Sequence, residues 1–392
     1  RRRANRARTP QSAAVASMKG IFWASAGLLA YTHVGYPLAL AAIDRARGLR
    51  AQEPDDRAPC DAPAVSVIVA AYAEQEVIAA RVANLRALDY PADRVELIVA
   101  CDGSPDQTAA RARAAGANLV LELPRAGKVR TQDAAVARAR HGLLAFSDAN
   151  AAWEPDALTA LTAPFADERV GYVCGSVRFV NERGDNQEGV YWRYEMWVRV
   201  LESRLRSVTG GNGAIYATRR ESYVEVDPIM GHDLSFPFNM VKRGWRAVYA
   251  PGARATEKMV PTIEGEFRRK RRMMSHGWPI VLRGGLLDPR GYDPVYAWMV
   301  ASHRLLRYGS PFLHVTALAA SAALALDRPT YSAALALQAA LIAAALIAPA
   351  VPARPLLVAR YYVLTTASLA AGLYDWLAHG TGAGWEAAEG TR

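Results

Sequence analysis

Leu143 to Pro155 reads LLAFSDANAAWEP. Four apolar residues, Leu143 to Phe146, lead into Ser147, Asp148, Ala149 and Asn150, the pattern of a buried strand delivering two oxygen-bearing side chains at its carboxyl end. Side chains one residue apart can both reach one hard cation, and such a cation can bridge the two phosphates of a nucleotide. Ligands in open α/β sheets bind at the carboxyl ends of strands, so the place suits the chemistry. An Asx turn that merely closes a strand uses the same residues. Taken alone, the stretch leaves both readings open.

Upstream, strand and helix patterns alternate. Val65 to Tyr72 (VSVIVAAY) is a near-continuous apolar run, as in strands buried on both faces of a parallel sheet. Helical spacing follows over Glu76 to Leu88, stopped by Asp89, Tyr90 and Pro91. Val95 to Cys101 is a second strand, ending in Asp102, Gly103 and Ser104. A helix over Asp106 to Ala115, a strand over Asn118 to Leu123 and a helix over Val129 to Arg140 complete the approach to Leu143. This rhythm predicts a doubly wound, mostly parallel α/β sheet. Downstream come a helix over Glu154 to Phe165, a strand over Val170 to Phe179 and an aromatic-rich helix over Tyr191 to Leu205. The loop Thr209 to Gly213 (TGGNG) precedes a short strand over Ala214 to Thr218. His232 and Asp233 stand ahead of another helix, and Trp245 to Tyr249 reads as the last strand of the domain.

The flanks of this domain are different in kind. Ile21 to Ile43 is an uncharged run long enough to cross a bilayer, and Met18 before it is the expected natural start. A secretory signal peptide competes, but the run is too long for one and no small-residue cleavage site is evident. Three further apolar runs, Pro311 to Leu326, Tyr331 to Val351 and Leu356 to Leu377, are separated by helix-breaking Asp327 to Pro329 and Pro352 to Pro355. Ala-rich helices of a soluble core are the alternative, yet three in succession with so few charges are hard to bury. Between Arg268 and Arg307 the sequence mixes RRKRR (Arg268 to Arg272) with aromatic and aliphatic residues, as helices lying in a membrane interface do.

The net charge of +10 is concentrated beside these runs, in Arg1, Arg2, Arg3, Arg6 and Arg8 and again before the C-terminal block. That placement points to a lipid bilayer and away from a nucleic acid polymer. Cys60, Cys101 and Cys174 are too few and scattered for a disulfide framework or zinc site, which fits a reducing compartment. The expected plan is a disordered basic tail (1–17), an N-terminal transmembrane helix (18–50), a linker (51–63) and the α/β domain (64–262). Amphipathic interface helices (263–309), three transmembrane helices (310–378) and a tail (379–392) complete it. Basic residues in Asp44 to Arg50 place the α/β domain in the cytoplasm, and four spans would put the C-terminus outside.

Glu74, Asp102 and Asp148 follow the first, second and fourth strands. Acids at corresponding ends of neighbouring strands form a crevice suited to a cation or to sugar hydroxyls. Seven motifs stand in order: VSVIVAAYAEQEVI (Val65 to Ile78), IVACDGSPDQT (Ile98 to Thr108), RAGKVRTQDAAVARA (Arg125 to Ala139), FSDAN (Phe146 to Asn150), GGNGAIYATRR (Gly210 to Arg220), GHDL (Gly231 to Leu234) and FRRKRR (Phe267 to Arg272). Together they resemble the family-2 inverting glycosyltransferases of the GT-A fold, over most of Val65 to Trp278.

The resemblance implies roles for particular residues. Ala71, Tyr72, Glu74 and Asp102 would hold the uridine of a UDP-sugar, with Asp102 accepting from the ring N–H of the base. Lys128 would meet phosphate as a point charge; a solvated loop lysine is the plainer reading. Asp148 and Asn150 would hold Mg²⁺ or Mn²⁺ on the diphosphate, Asn150 standing where the family often has a second Asp. Asp233 matches the catalytic base of a single inverting displacement, though its position also suits a helix N-cap. His232 beside it replaces a usual acid and is placed with the acceptor. Gly210, Gly211 and Gly213 would let backbone approach the acceptor closely.

Arg269 and Met273 stand where the family's motif of Gln, two variable residues, Arg and Trp has its Gln and Trp, with Arg272 as its Arg. Arg269 and Arg272 are thereby assigned to the diphosphate, and the departures point away from a fully processive, cellulose-synthase-like mechanism. For Arg268, Lys270 and Arg271, lipid headgroups are the expected partners. The implied protein is a metal-dependent enzyme of a bacterial inner or plasma membrane. It would pass sugar to a lipid-linked or glycan acceptor in exopolysaccharide or cell-envelope synthesis, its oligomeric state left open. A polyprenyl-phosphate glycosyltransferase is an alternative, as is a degenerate nucleotide-binding domain, against which intact Asp102, Asp148 and Asp233 speak.

Overall fold

The computed structural model describes residues 10–48, 62–180 and 189–384. The arginines of the leading tail, the linker with Cys60 and residues 385–392 lie outside the described residues.

Helix α1 (Pro10–Ala30) starts upstream of Met18 and passes through a π-helical turn (Tyr31–Gly35) into α2 (Tyr36–Arg47). The α/β domain then runs β1 (Val65–Ala71), α3 (Ile78–Arg86), β2 (Val95–Asp102), α4 (Thr108–Ala114), β3 (Leu119–Leu123), α5 (Lys128–Arg138) and β4 (Leu143–Asp148). It continues with β5 (Ala152–Trp153), α6 (Ala157–Thr162), β6 (Val170–Val180), α7 (Val190–Leu205), β7 (Tyr216–Arg219), α8 (His232–Lys242) and β8 (Arg246–Lys258). The sheet order is β3-β2-β1-β4-β7-β6-β8-β5. β1 pairs in parallel with β2 and with β4, Ala71 opposite Cys101 and Ala70 opposite Asp148. β7 runs antiparallel between β4 and β6. This is the mostly parallel, Rossmann-like GT-A sheet.

Alternation along the central strands divides two cores. Val67, Val69 and Ala145 face α3, α4 and α6, whereas Ile68, Ile98 and Phe146 face α5 and α8. Two boundaries differ from the sequence reading. The last strand runs on to Lys258 because it pairs with both β6 and the two-residue β5, which apolar patterning could not disclose. α6 is short because Pro164 turns its end into a tighter 3₁₀ turn (Ala163–Ala166).

The C-terminal part comprises α9 (Ile263–Leu282), α10 (Pro294–Val300), a second π turn (Ala301–Leu305), α11 (Leu306–Tyr308), α12 (Ser310–Ala323), α13 (Pro329–Ile347) and α14 (Arg354–His379). Among the described residues three helical stretches are long and apolar enough to cross a membrane, Ala14–Arg47, Pro329–Ile347 and Arg354–His379, where four were expected. The run Pro311 to Leu326 yields the 14-residue α12, below the length a span needs, since a turn begins at Leu324. Leu337 is 74% and Leu346 72% exposed on α13, apolar surface of the kind lipid covers.

α1 and α2 lie antiparallel to the stretch from α10 to α12. Lys19 pairs with Asp327 at 2.9 Å, Ser25 meets Thr316 at 2.8 Å, and Tyr31 meets Ser302 at 2.9 Å. α14 lies along α9, with Arg271 bonded bidentately to Asp375 (2.6 and 2.5 Å) and Arg360 bonded to Glu264. Arg271, expected on lipid headgroups, therefore has an intramolecular carboxylate. Beyond α14 the chain returns to the α/β domain, where Ala383 packs on Gly127. Where an exterior C-terminus was expected, Ala383, just beyond α14, lies against the α/β domain.

Candidate functional site

The crevice forms at the carboxyl edge of β2, β1 and β4. Asp102 ends β2, and its carboxylate accepts the amides of Ala126 (2.6 Å) and Gly127 (3.1 Å). Gly127 adopts φ +93°, a conformation other residues avoid, and so turns both amides toward that carboxylate before α5 starts. Asp102 is thus a buried anchor of the loop as well as a potential base ligand. Ala71 closes β1, and the ring of Tyr72 lies under the Arg125 guanidinium, 3.0 Å from its centroid. Glu74 is buried, its amide donating to Thr108 Oγ1 at 2.9 Å.

Lys128 is the first residue of α5 and forms an ion pair with Asp148 at the end of β4. Burial lowers the affinity of the Lys128 amine for its proton, but the adjacent Asp148 carboxylate outweighs this and holds it above the usual lysine range. Gly213 stands against the same pair, since a Cβ there would lie 3.2 Å from Lys128 Nζ and 3.4 Å from Asp148 Oδ2. Asn150 follows in the β4–β5 turn, half-buried.

A second carboxylate was not apparent from sequence. Glu257, near the end of β8, is pushed up to about 7 by burial and then by the charge of Asp148, with Arg269, Lys128 and Arg81 opposing. A carboxylate within reach of another's charge shifts in this way, and a divalent cation bound nearby would relieve it. The donors present therefore fit a hard cation. Among the described residues no three acidic, histidine or cysteine side chains form a complete cage, so phosphate oxygens would supply the rest of the coordination. Beneath them Arg81, 2% exposed, donates to Ser147 Oγ at 2.7 Å.

The Gly loop joins this corner to Asp233. Gly211 N donates to the Asp233 carbonyl at 2.6 Å, and a Cβ on Gly211 would fall 2.0 Å from Tyr172 Oη. Asp233 is the second residue of α8. His232, the first, is buried: its Nδ1 meets Tyr216 Oη at 2.8 Å and its ring stacks on Phe236 at 4.0 Å. Arg272 and Asp233 both act electrostatically on His276, which brings α9 to the same corner. Arg269 is held bidentately by Glu266 on its own helix, at 2.7 and 2.8 Å.

A clamp on the Gly loop also escaped the sequence reading. Arg199 donates to the Gly211 carbonyl at 3.2 Å, Arg304 donates to Thr209 Oγ1 at 3.0 Å, and a Cβ on Gly210 would meet the Arg304 guanidinium at 2.5 Å. Glu202 accepts from Thr209 N (3.1 Å) and from Tyr36 Oη on α2 (2.6 Å), and it lies 2.7 Å from His303 Nδ1. Burial raises the Glu202 carboxyl, but His303 and Arg304 overcome it and hold it below the usual range. These residues come from three separated segments, around Tyr36, from Arg199 to Gly211 and at His303 and Arg304, and only an unusual density of charge within apolar sequence hinted at them.

A family model described as glycosyltransferase-like family 2 matches residues 63–276. Among solved structures, the chain is similar to the mannosyltransferase PcManGT from Pyrobaculum calidifontis, in complex with GDP-Man and Mn²⁺. That likeness has a TM-score of 0.68 at 24% identity and covers 92% of this chain and 99% of that one. A glucosyl-3-phosphoglycerate synthase from Mycobacterium tuberculosis, in complex with Mn²⁺, UDP-Glc and phosphoglyceric acid, shares 20% identity over 55% of this chain and 78% of its own. Its TM-score of 0.39 is too low to bear weight. No curated protein matches the chain.

Proposed function

The chain belongs to the glycosyltransferase-like family 2, and from that premise we propose that it moves a sugar from a UDP-sugar to a membrane-presented acceptor with inversion. One observation carries the reading: the Gly loop touches both halves of a reaction centre. Gly213 lies against Lys128 and Asp148, while Gly211 is bonded to Asp233.

In this reading Asp233 takes the proton of an acceptor hydroxyl. The hydroxyl oxygen bonds to the anomeric carbon as the bond from that carbon to the diphosphate breaks on the opposite face, and the diphosphate leaves with the bonding pair. Lys128 and Arg272 set positive charge toward the departing diphosphate. Asp148, Asn150 and Glu257 would hold Mg²⁺ or Mn²⁺, which supplies charge neutralisation when bound. Tyr72, Glu74 and the loop anchored by Asp102 would hold the nucleoside. Gly210 and Gly211 would border the acceptor. The apolar helices support a membrane location, with exopolysaccharide or cell-envelope glycan as product.

The test is a panel of UDP- and GDP-sugars incubated with membranes containing the protein, with and without Mn²⁺. Metal-dependent turnover of a UDP-sugar is expected, with Asp233→Asn reduced at least about 100-fold. Label in solvent-extractable lipid monophosphate would replace the glycan acceptor with a polyprenyl phosphate. If Asp233→Asn leaves turnover unchanged, the base assignment fails.

A further inference from the structure

His232 carries a buried donor that the fold has oriented and left unspent. The Gln132 amide donates to Tyr216 Oη at 3.2 Å, and Tyr216 Oη lies 2.8 Å from His232 Nδ1. A phenol has one proton. With Gln132 already donating to that oxygen, the proton points at His232 Nδ1, its one acceptor among the described residues. Nδ1 therefore accepts, and the proton of the neutral imidazole sits on Nε2. That atom is shut off from solvent and has no hydrogen-bond partner among the described residues. A buried N–H without a partner keeps the full cost of its lost hydration, so its retention calls for a group that completes it.

The surroundings say what that group is. The two nitrogens of an imidazole point in divergent directions, so Nε2 faces away from the Tyr216–Gln132 side. His232 opens the 11-residue α8, as Lys128 opens the 11-residue α5. Phe146, two residues before Asp148, meets the His232 ring edge-on at 6.0 Å, which sets the imidazole beside the end of β4. Two helix N-termini, Lys128 and a neutral N–H gather there beside the carboxylates of Asp148 and Asp233, and a cation-bound diphosphate is the anion such a mixed corner suits. Burial pulls the ring down to about 3, and the Lys128 charge adds to this, so the ring stays neutral at physiological pH.

We propose that His232 Nε2–H donates a hydrogen bond to an oxygen of the diphosphate leaving group and is a further catalytic residue. The proposal rests on the transferase reading above. It moves His232 from the acceptor side, where its sequence position had placed it, to the donor side. The acid usual at this position could not fill the role while ionised, because a carboxylate only accepts.

The experiment compares His232→Phe, His232→Gln and Tyr216→Phe in detergent-solubilised full-length protein. Turnover uses whichever sugar nucleotide is active in the panel, and binding uses UDP and GDP with Mn²⁺. His232→Phe is expected to lower kcat about 100-fold, the usual loss of a preorganised donor, while nucleotide Kd shifts less than about tenfold. His232→Gln, which keeps an N–H, should recover part of the rate. Tyr216→Phe keeps the ring stack but frees Nδ1, and kcat should fall about tenfold with Tm little changed. Unchanged kcat in His232→Phe, equal loss in His232→Gln, or full activity in Tyr216→Phe would each overturn the proposal. ¹⁵N shifts of histidine-labelled protein decide the same point without turnover. Nε2 should be protonated and Nδ1 bare at pH 7, with the Nε2–H signal moving when UDP or GDP is added with Mn²⁺. A proton found on Nδ1 refutes the assignment, whereas absence of transfer from every sugar nucleotide refutes the transferase reading alone.

Discussion

Gly211 shows how little room the reaction centre leaves. A Cβ there would stand 2.0 Å from Tyr172 Oη, inside any permitted contact, and the backbone cannot retreat because its N–H is held by Asp233 and its carbonyl by Arg199. Gly211→Ala should therefore displace the loop and lower turnover at least tenfold while leaving UDP or GDP binding near normal. The hydroxyl is by far the worst contact, with Tyr172 Cζ next at 3.1 Å, so Gly211→Ala combined with Tyr172→Phe should regain part of the loss. Additive defects in the double variant would show that Tyr172 is not the obstacle. Sequence could name Gly211 as a residue of close approach. It could not name the neighbour, because Tyr172 lies on a strand far away in the chain.

Among the elements, α9 and α14 pack through a small-residue contact. A Cβ on Gly372 would lie 2.6 Å from Met274 Cβ and 2.7 Å from the Arg271 carbonyl, so the two helices meet backbone to side chain. Overpacking of this kind costs about 1–3 kcal/mol. Gly372→Ala should lower Tm in detergent by several degrees, whereas Gly382→Ala, with nothing within 4 Å of its new methyl, should not. Equal melting of the two variants would remove the contact from the account of α14. The apolar length of α14 was legible in the sequence. Its partner was not, since Arg271 and Asp375 are 104 positions apart.

For the molecule as a whole, a third core joins the apolar helices to the α/β domain. Tyr36 and Leu40 of α2, Val198 and Leu201 of α7, Phe238 of α8 and Trp376 of α14 share it. Arg360 of α14 is bonded to Glu264 of α9, and Ala383, just beyond α14, packs on Gly127 of the α/β domain. A cysteine at Gly384 should therefore react with membrane-impermeant maleimide from the same side as a cysteine at Glu122, on the exposed surface of the α/β domain. Labelling from opposite sides would show that Ala383 and Gly127 do not meet in the membrane-bound protein.

Local chemistry was enough to determine much of this protein. Strand patterning from Val65 to Phe146 dictated a parallel sheet, because a run apolar at every position must be buried on both faces. Strand ends carrying Asp102 and Asp148 then located the crevice. The opening stretch could not say whether Asn150 lacks a second carboxylate, for Glu257 arrives on a strand defined by long-range pairing with β6 and β5. Nor could it say that His232 holds its proton on Nε2. That follows from Gln132, Tyr216 and His232 meeting across three elements, and hydrogen-bond direction is a property of neighbours, which only the tertiary structure supplies.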